Sequence, residues 1–204
     1  MTRTAFTEEI GSIVLPPPQT DAGASLMQAL KLRRSTRDYS PRPLPLPLLS
    51  TLLWAAFGIN RPDKGGRTAP SAHDWQEIDI YAVLPEGAYR YDPAGHTLRL
   101  TVGGDHRSLT GVQEFVAQAP LNLVYVARFS HMVDADAEQR TFFAAADAGF
   151  IAQNVYLFCA SAGLACVVRG LVDRRRLAPA LHLQVDERIV LAQSVGFPGN
   201  PPSK

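Results

Sequence analysis

A long and mostly apolar run, AAADAGFIAQNVYLFCASAGLACVV at residues 144–168, most constrains how this chain can fold. Its length would suit a helix that crosses a membrane. Asp147 and Asn154 interrupt the run, however, and polar groups of this kind are costly in lipid. Gly163 is a typical helix stop. The run therefore predicts a long core helix over residues 139–162 rather than a membrane span.

Hydrophobic periodicity predicts two shorter helices ahead of this run. Ser25 followed by Gln28 is a capping-box pattern, and it starts a first helix that we expect to run to about Arg34. Residues 48–58, LLSTLLWAAFG, predict a second helix that is apolar on almost every side. Capping residues also predict two short helices later in the chain, starting at Thr110 and Asp173.

Elsewhere apolar residues recur at every second position, which indicates β-strands. DPAG at residues 92–95 separates two such stretches and predicts a hairpin turn. Strands are expected at residues 77–84, 88–92, 97–102, 121–127, 165–172 and 188–198. This order of helices and strands favours an α+β fold, with a mainly antiparallel mixed sheet flanked by helices.

The N-terminal residues 1–24 are expected to form an extended arm. Three consecutive prolines, residues 16–18, exclude a regular helix or a central strand there. Such an arm either packs on a partner subunit or is a loose tail. Residues 25–204 contain neither an internal repeat nor a low-complexity linker, so we expect a single domain.

Charge and residue types exclude several classes of function. A formal net charge of +1 gives no overall field that would attract nucleic acid. The start MTRTAFTEEIG lacks the pattern of a secretory signal, which indicates the cytoplasm unless a leader was removed. Cys159 and Cys166 lack CxxC spacing, so two buried free thiols are expected. The five histidines and the DADAE run at 134–138 lack metal-ligand spacing, so no metal site is expected.

A cluster of Arg33, Arg34, Ser35 and Arg37 follows the first helix. If the helix continues to Arg37, Arg33 and Arg37 lie on one face, and the Ser35 hydroxyl lies between them. Two like charges held together are unfavourable unless an anion binds them, and guanidinium groups match phosphate oxygens bidentately. The alternative is a solvated helix end on which Arg34 pairs with Asp38.

Two further patches could approach a ligand. The loop GGRTAPSAHDWQ, residues 65–76, combines glycines that allow close backbone approach with polar side chains, namely Ser71, Asp74 and Gln76. In VVRGLVD, residues 167–173, Gly170 lies within an expected strand, where a glycine often marks a bulge or a ligand's close approach.

In this order the three patches resemble the nitroreductase family of FMN-dependent oxidoreductases, over about residues 26–198. The family's R-[RH]-S-x-[RK] motif is matched by Arg33, Arg34, Ser35 and Arg37. Its P-S-x-x-N-x-Q motif is matched by Pro70, Ser71, Ala72 and Gln76. DAGFIAQNVYLFCASAGLACVVRG resembles the family's long central helix, its glycine stop and the strand that meets the flavin.

The resemblance assigns roles to these residues. It implies that Arg33, Arg34 and Ser35 hold the FMN phosphate and ribityl chain. Arg37 would reach the N1 and O2 edge of the flavin, where a positive charge stabilises the reduced form. A loop from the other subunit of a homodimer would touch the pyrimidine ring, through Pro70, Ser71, Ala72, Asp74 and Gln76. Backbone near N5 would come from Val168, Arg169 and Gly170.

Two departures from the family pattern bear on flavin binding. Asp74 stands where the family usually has asparagine, so an ionised side chain there can accept but not donate a hydrogen bond. The chain ends GFPGNPPSK, with Lys204 as its only basic residue there, so the phosphate would be held by the first motif alone.

The resemblance implies an oxidoreductase that transfers electrons from NADH or NADPH to a small organic acceptor, such as a nitroaromatic or a quinone, by a ping-pong mechanism. Because the flavin would carry the chemistry, no side chain is assigned as a catalytic acid or base. Two alternatives stay open at this point. One is a non-catalytic flavin- or anion-binding protein on the same fold, and the other is a structural dimeric module.

Overall fold

The computed structural model describes residues 11–199, which form one seven-stranded sheet with helices packed against it. The helices are α1 (Leu26–Leu32), α2 (Leu46–Phe57), α3 (Phe115–Gln118), α4 (Ala137–Ala162) and α5 (Arg174–Ala180). The strands are β1 (Ser12–Val14), β2 (Ile59–Arg61), β3 (Gly66–Arg67), β4 (Ile78–Leu84), β5 (Gly87–Asp92), β6 (Thr97–Gly103), β7 (Leu121–Arg128), β8 (Ala165–Arg169) and β9 (Glu187–Gly196).

The large sheet has the strand order β1-β6-β5-β4-β7-β9-β8, and β2 pairs with β3 in a separate hairpin. The expected α+β class with a mainly antiparallel sheet is confirmed. Every strand pair within residues 11–199 is antiparallel, so no parallel pair of the expected mixed sheet lies in this part of the chain.

Strand β7 lies inside the sheet, between β4 and β9, and the core has one layer on each side of it. Its side chains alternate between the two faces of the sheet, and Leu121, Leu123, Tyr125 and Ala127 pack towards α2 and α4. Val124 and Val126 face the opposite layer, together with Leu177 of α5 and Leu181, which follows that helix. All but the last residue of the strand are buried, which explains its nearly continuous apolar sequence.

Helix α4 has clear start and stop signals. Asp136 accepts a hydrogen bond from the Gln139 amide, and the Gln139 side chain accepts one from the Asp136 amide, which completes a capping box. Gly163 ends the helix in the left-handed conformation, with φ of 68°. These boundaries agree with the expected long helix.

The same helix is the one helix of the described chain that is long and apolar enough to cross a membrane. One side of it packs in the main core, where Ala148, Ile151 and Val155 are buried. Less than half of its apolar stretch is buried within the chain, and Phe142 and Phe150 are exposed. The exposed side thus includes apolar side chains that residues 11–199 of the same chain leave uncovered.

Some boundaries differ from the sequence expectations. Helix α1 ends at Leu32 rather than Arg34, because Arg33 turns to extended backbone (φ −56°, ψ 124°). Strand β8 ends at Arg169, so Gly170 follows the strand instead of interrupting it. Thr110 ends a 3-10 turn and is not a helix cap, and α3 begins only at Phe115.

Part of the expected N-terminal arm belongs to the sheet. Ser12–Val14 pair with β6 as an edge strand, and residues 1–10 of the arm lie outside the described residues. The described part of the arm therefore contacts its own chain, and its packing on a partner subunit stays a prediction.

Gly163 offers a direct test of the helix end. A Cβ at this position would meet no atom within 4 Å, so the cost of substitution is conformational. We expect Gly163→Ala to lower the free energy of unfolding by about 1 kcal/mol, because alanine disfavours the left-handed region. Gly163→Asn should cost less, because asparagine tolerates that region better. Equal losses in chemical denaturation for both variants would contradict this explanation.

Candidate functional site

The chain after α1 runs along β8, which is an edge strand of the sheet. The amide of Thr36 donates a hydrogen bond to the carbonyl of Cys166 at 2.9 Å. Tyr39 forms an isolated antiparallel bridge with Pro198, just beyond β9. This backbone pairing explains why the helix stops at Leu32, since residues 33–37 are drawn out along the strand.

The Tyr156 hydroxyl links the first motif to β8 from helix α4. It accepts a hydrogen bond from the Val168 amide at 2.9 Å and shares another with the Ser35 hydroxyl at 2.8 Å. One side chain therefore holds both the Val168 backbone, which is expected near N5 of the flavin, and Ser35 of the arginine motif. Sequence reasoning missed Tyr156, although it carries the only phenolic hydroxyl in α4.

The arginines of the first motif are exposed and follow the helix end. The expectation that Arg33 and Arg37 share a helix face is wrong, because neither lies within α1. The alternative pairing of Arg34 with Asp38 is also absent from the ion pairs among residues 11–199. In this part of the chain no carboxylate forms an ion pair with Arg33, Arg34 or Arg37.

A cavity of about 400 Å³ opens beside these arginines. It lies between the ends of α1 and α4 and the start of β8, and its lining includes Arg33, Arg34, Thr36, Tyr156 and Pro198. The Arg33 guanidinium lies 5.4 Å from the centre of the Tyr156 ring, which orients that positive charge. The volume is typical of a small-molecule site.

Gly170 leaves open space at the end of β8. A Cβ at this position would touch only Leu191 Cδ2, at 4.0 Å, and the residue does not have a positive φ. The chain itself therefore does not require a glycine here, in contrast to Gly196, where a Cβ would meet Pro120 at 2.6 Å. A glycine that its own chain does not require fits the close approach of a ligand.

Arg169 directs its side chain into the protein interior. Its guanidinium donates to the Thr110 carbonyl at 2.7 Å and to Asn122 Oδ1 at 3.1 Å, and the residue is 5% exposed. Burial lowers the pKa of Arg169 to about 10, so it still carries a positive charge at neutral pH. Only the backbone of Arg169 is thus available at the open end of the strand.

The loop of the second motif has a strained backbone. His73, Asp74 and Gln76 have φ values of 50°, 54° and 49°, in the left-handed region. Such residues cost about 1–3 kcal/mol each and persist only where surrounding contacts fix them. Asp74 is exposed, and its Oδ1 accepts a hydrogen bond from the Gln76 side-chain amide at 2.9 Å.

Hydrogen bonds hold this loop at both ends. The Arg67 Nε donates to Gln76 Oε1 at 2.7 Å. At the other end the Ala72 amide donates to Asp147 Oδ2 at 2.8 Å, and the Ser71 hydroxyl donates to Glu77 Oε2 at 3.2 Å. Sequence reasoning noted Asp147 only as an interruption of the apolar run and did not single out Glu77.

The first and second motifs do not meet within one chain. The loop is anchored on α4 at Asp147, and the first motif is anchored on the same helix at Tyr156. These positions are nine residues apart, which is about 13 Å along a helix with a rise of about 1.5 Å per residue. The structure thus joins the first motif to β8 and leaves the loop at a separate position.

Residues outside the motifs bear on the other expectations. Cys159 and Cys166 are buried free thiols, as expected. Among residues 11–199, no group of three or more His, Cys, Asp or Glu side chains is arranged to hold a metal ion. The C-terminal Lys204 lies outside the described residues.

Comparison with known proteins gives a consistent result. The profile described as "Nitroreductase family" matches residues 30–197. A relative from Methanocaldococcus jannaschii whose name places it among the nitroreductases is 33% identical over 155 residues, which cover 71% of this chain and 78% of the relative.

Solved structures extend the similarity to the fold. A protein of Ralstonia eutropha, also named as a nitroreductase, is 49% identical with a TM-score of 0.89, over 93% of this chain and 90% of the other. The NADPH:FMN oxidoreductase of Vibrio harveyi, complexed with NAD+, is 20% identical with a TM-score of 0.67, over 89% of this chain and 72% of the other. From the profile match and these relatives we conclude that the chain belongs to the nitroreductase family, a family of oxidoreductases.

Proposed function

We propose that this protein is an FMN-dependent oxidoreductase that transfers electrons from NADH or NADPH to a small organic acceptor, such as a nitroaromatic or a quinone. The observation that carries the proposal is the hydrogen-bonded link from Ser35 through Tyr156 to Val168, beside three arginines without a carboxylate partner in residues 11–199. This arrangement offers charge, hydroxyl groups and open backbone at one edge of the sheet.

The described residues fit an FMN molecule at this edge. Exposed guanidinium groups of Arg33 and Arg34 suit a phosphate, and the Ser35 hydroxyl suits the ribityl chain. Arg37 follows on the same extended segment and would place a positive charge at the pyrimidine edge of the flavin. The open backbone of Val168, Arg169 and Gly170 would lie beside N5.

Bound FMN would supply the hydride chemistry, taking electrons from the nicotinamide and passing them to the acceptor in a ping-pong cycle. The residues of this chain would bind and orient the cofactor and exclude water from it. The Tyr156 hydroxyl would fix the Val168 amide and Ser35 relative to each other. The buried charge of Arg169 would lie behind the strand and would not contact the flavin directly.

We propose further that the site is completed by the second subunit of a homodimer. The partner would contribute the loop residues Pro70, Ser71, Ala72, Asp74 and Gln76. The separation of this loop from the first motif supports such a division. So do the exposed apolar side chains of α1 and α4, which are Leu26, Met27, Leu30, Leu32, Phe142 and Phe150. A dimer would bury this surface, and the protein would act in the cytoplasm without a membrane or nucleic-acid partner.

The arginines provide the first test. We expect Arg33→Ala and Arg37→Ala each to weaken FMN binding at least tenfold, about 1.4 kcal/mol, because each removes a charged donor from the cofactor. Binding is measured by quenching of flavin fluorescence during titration. Arg188→Ala is the matched control, because Arg188 pairs with Ala127 near the opposite end of β9. Unchanged FMN affinity in both motif variants would overturn the role proposed for them.

Turnover is tested separately by absorption spectroscopy. The protein is loaded with FMN, desalted and mixed anaerobically with NADPH or NADH. We expect the flavin bands to be retained on desalting and to bleach with at least one nicotinamide. They should return when a quinone or nitroaromatic is added.

Two other results of this experiment would favour different functions. Retained flavin without bleaching would support the non-catalytic binding protein that Asp74 suggests, because a carboxylate changes the hydrogen bonding available to the pyrimidine ring. A protein that retains no FMN would exclude the proposed activity.

A further inference from the structure

Two carboxyl groups are buried beneath the loop of the second motif. Glu77, just before β4, is 1% exposed, and Asp147, on α4, is 2% exposed. Buried carboxyl groups are rare unless a positive charge or a proton compensates them. The pair therefore needs an explanation beyond the packing of the core.

Each carboxyl group holds one of two consecutive residues of the loop. Glu77 Oε2 accepts from the Ser71 hydroxyl, and Asp147 Oδ2 accepts from the Ala72 amide. Ser71 Oγ in turn accepts a hydrogen bond from the Gln76 amide at 2.9 Å. Ser71 therefore connects Glu77 to the far end of the loop. The strained residues between Ser71 and Gln76 are held through these contacts.

The remaining oxygen of Glu77 lacks a partner. Glu77 Oε1 is buried and accepts no hydrogen bond from the described residues. Glu77 and Asp147 bind the adjacent loop residues Ser71 and Ala72, which brings the two carboxyl groups close to each other. Two ionised carboxylates cannot bond to each other, because neither has a hydrogen to donate. A single proton on one of the two carboxyl groups would allow it to donate to the other.

The basic side chains near the pair form no ion pair with it among residues 11–199. From β7, the Arg128 amide binds the Glu77 carbonyl, but its guanidinium pairs with Asp79 and Glu187. From β3, Arg67 binds the side chain of Gln76. On the remaining packed elements, His73 of the loop stacks against Trp75 and Phe143, and Arg140 lies two turns before Asp147 on α4.

We propose that Glu77 and Asp147 share one proton and act as a positioning pair for residues 71–76, so that loss of this proton weakens the loop's hold on FMN. The inference rests on the proposed function in one respect, namely that this loop contacts the cofactor. The carboxyl groups themselves touch the loop and not the reacting atoms.

The direction of the pH effect follows from burial. Burial raises the pKa of Glu77 to about 7, and the negative charge of Asp147 adds to the increase. Because this folded pKa lies above the unfolded value of 4.5, the folded protein holds the proton more tightly than the unfolded chain. The stabilising contribution is fully present below pH 4.5 and is lost as the pH rises through about 7.

Glu77→Gln is the variant that tests the shared proton most directly. Its amide can donate to Asp147 permanently, while its oxygen can still accept from Ser71, so it mimics the protonated state at every pH. For the wild-type protein we expect the FMN dissociation constant to increase about tenfold between about pH 6 and about pH 9. For Glu77→Gln the dissociation constant should not show this increase. Glu77→Ala should bind FMN weakly throughout. Glu187→Gln removes a buried carboxyl group elsewhere on the sheet and should keep the wild-type profile.

A second measurement does not require FMN. Thermal unfolding of the apoprotein is followed over the same pH range, and wild-type stability should fall relative to Glu77→Gln as the pH approaches 7 and above. Asp147→Asn serves as the second variant if Glu77→Gln does not fold, because its amide can donate to Glu77 and its oxygen can accept from Ala72.

The two measurements separate this proposal from the proposed function. If FMN fails to bind at any pH while the difference in thermal unfolding appears, the flavin function is wrong and the proton-sharing pair stands without its role in cofactor binding. If FMN binds but wild-type protein and Glu77→Gln give parallel profiles for both binding and unfolding, the positioning pair is overturned and the proposed function is unaffected.

Discussion

The Tyr156 hydroxyl is the contact on which the arrangement of the site depends. It holds the Val168 amide at the free edge of β8 and, at the same time, the Ser35 hydroxyl of the arginine segment. The segment after α1 has two further backbone contacts with this part of the fold. They are the hydrogen bond from the Thr36 amide to the Cys166 carbonyl and the bridge between Tyr39 and Pro198. Because Tyr156 lies on the buried side of α4, the position of the arginines is coupled to the packing of the core.

Helix α4 also determines how the site is divided. It anchors the arginine segment near its C-terminal end and the loop at 71–76 closer to its middle. Neither position can move without distorting a helix whose inner face is in the core. A cofactor that contacts both segments is therefore best accommodated if the loop comes from a second subunit, across the apolar surface that α4 exposes.

Several elements could be predicted because local physics decides them. The capping residues Ser25 and Asp173, the glycine stop at Gly163 and the apolar strand β7 all appear close to where the sequence placed them. The end of α1 was misplaced because a contact with a strand more than a hundred residues away stops it. The pairing of Ser12–Val14 with β6 has the same long-range origin.

The residues proposed for the site come from sequence motifs, whereas the contacts between them come from the fold. A single tyrosine in an apolar helix, or a glutamate before a strand, looks ordinary until the fold brings Tyr156 to Val168 and Glu77 to Asp147. Contacts between residues distant in sequence leave no periodic signal, and so neither pair could be recognised beforehand. The arginines were recognised, but their extended backbone depends on the neighbouring strand.

The central claim is that each flavin site combines the arginine segment of one subunit with the loop of the other. Hybrid dimers test it most directly, with one subunit carrying Arg33→Ala and Arg37→Ala and the other carrying Ala72→Pro, which removes the amide bonded to Asp147. Each variant alone should lose FMN. Hybrids isolated with two different affinity tags should bind one FMN per dimer, because one site then has both intact parts. Hybrids that bind no FMN, while the wild-type dimer binds two, would contradict the account.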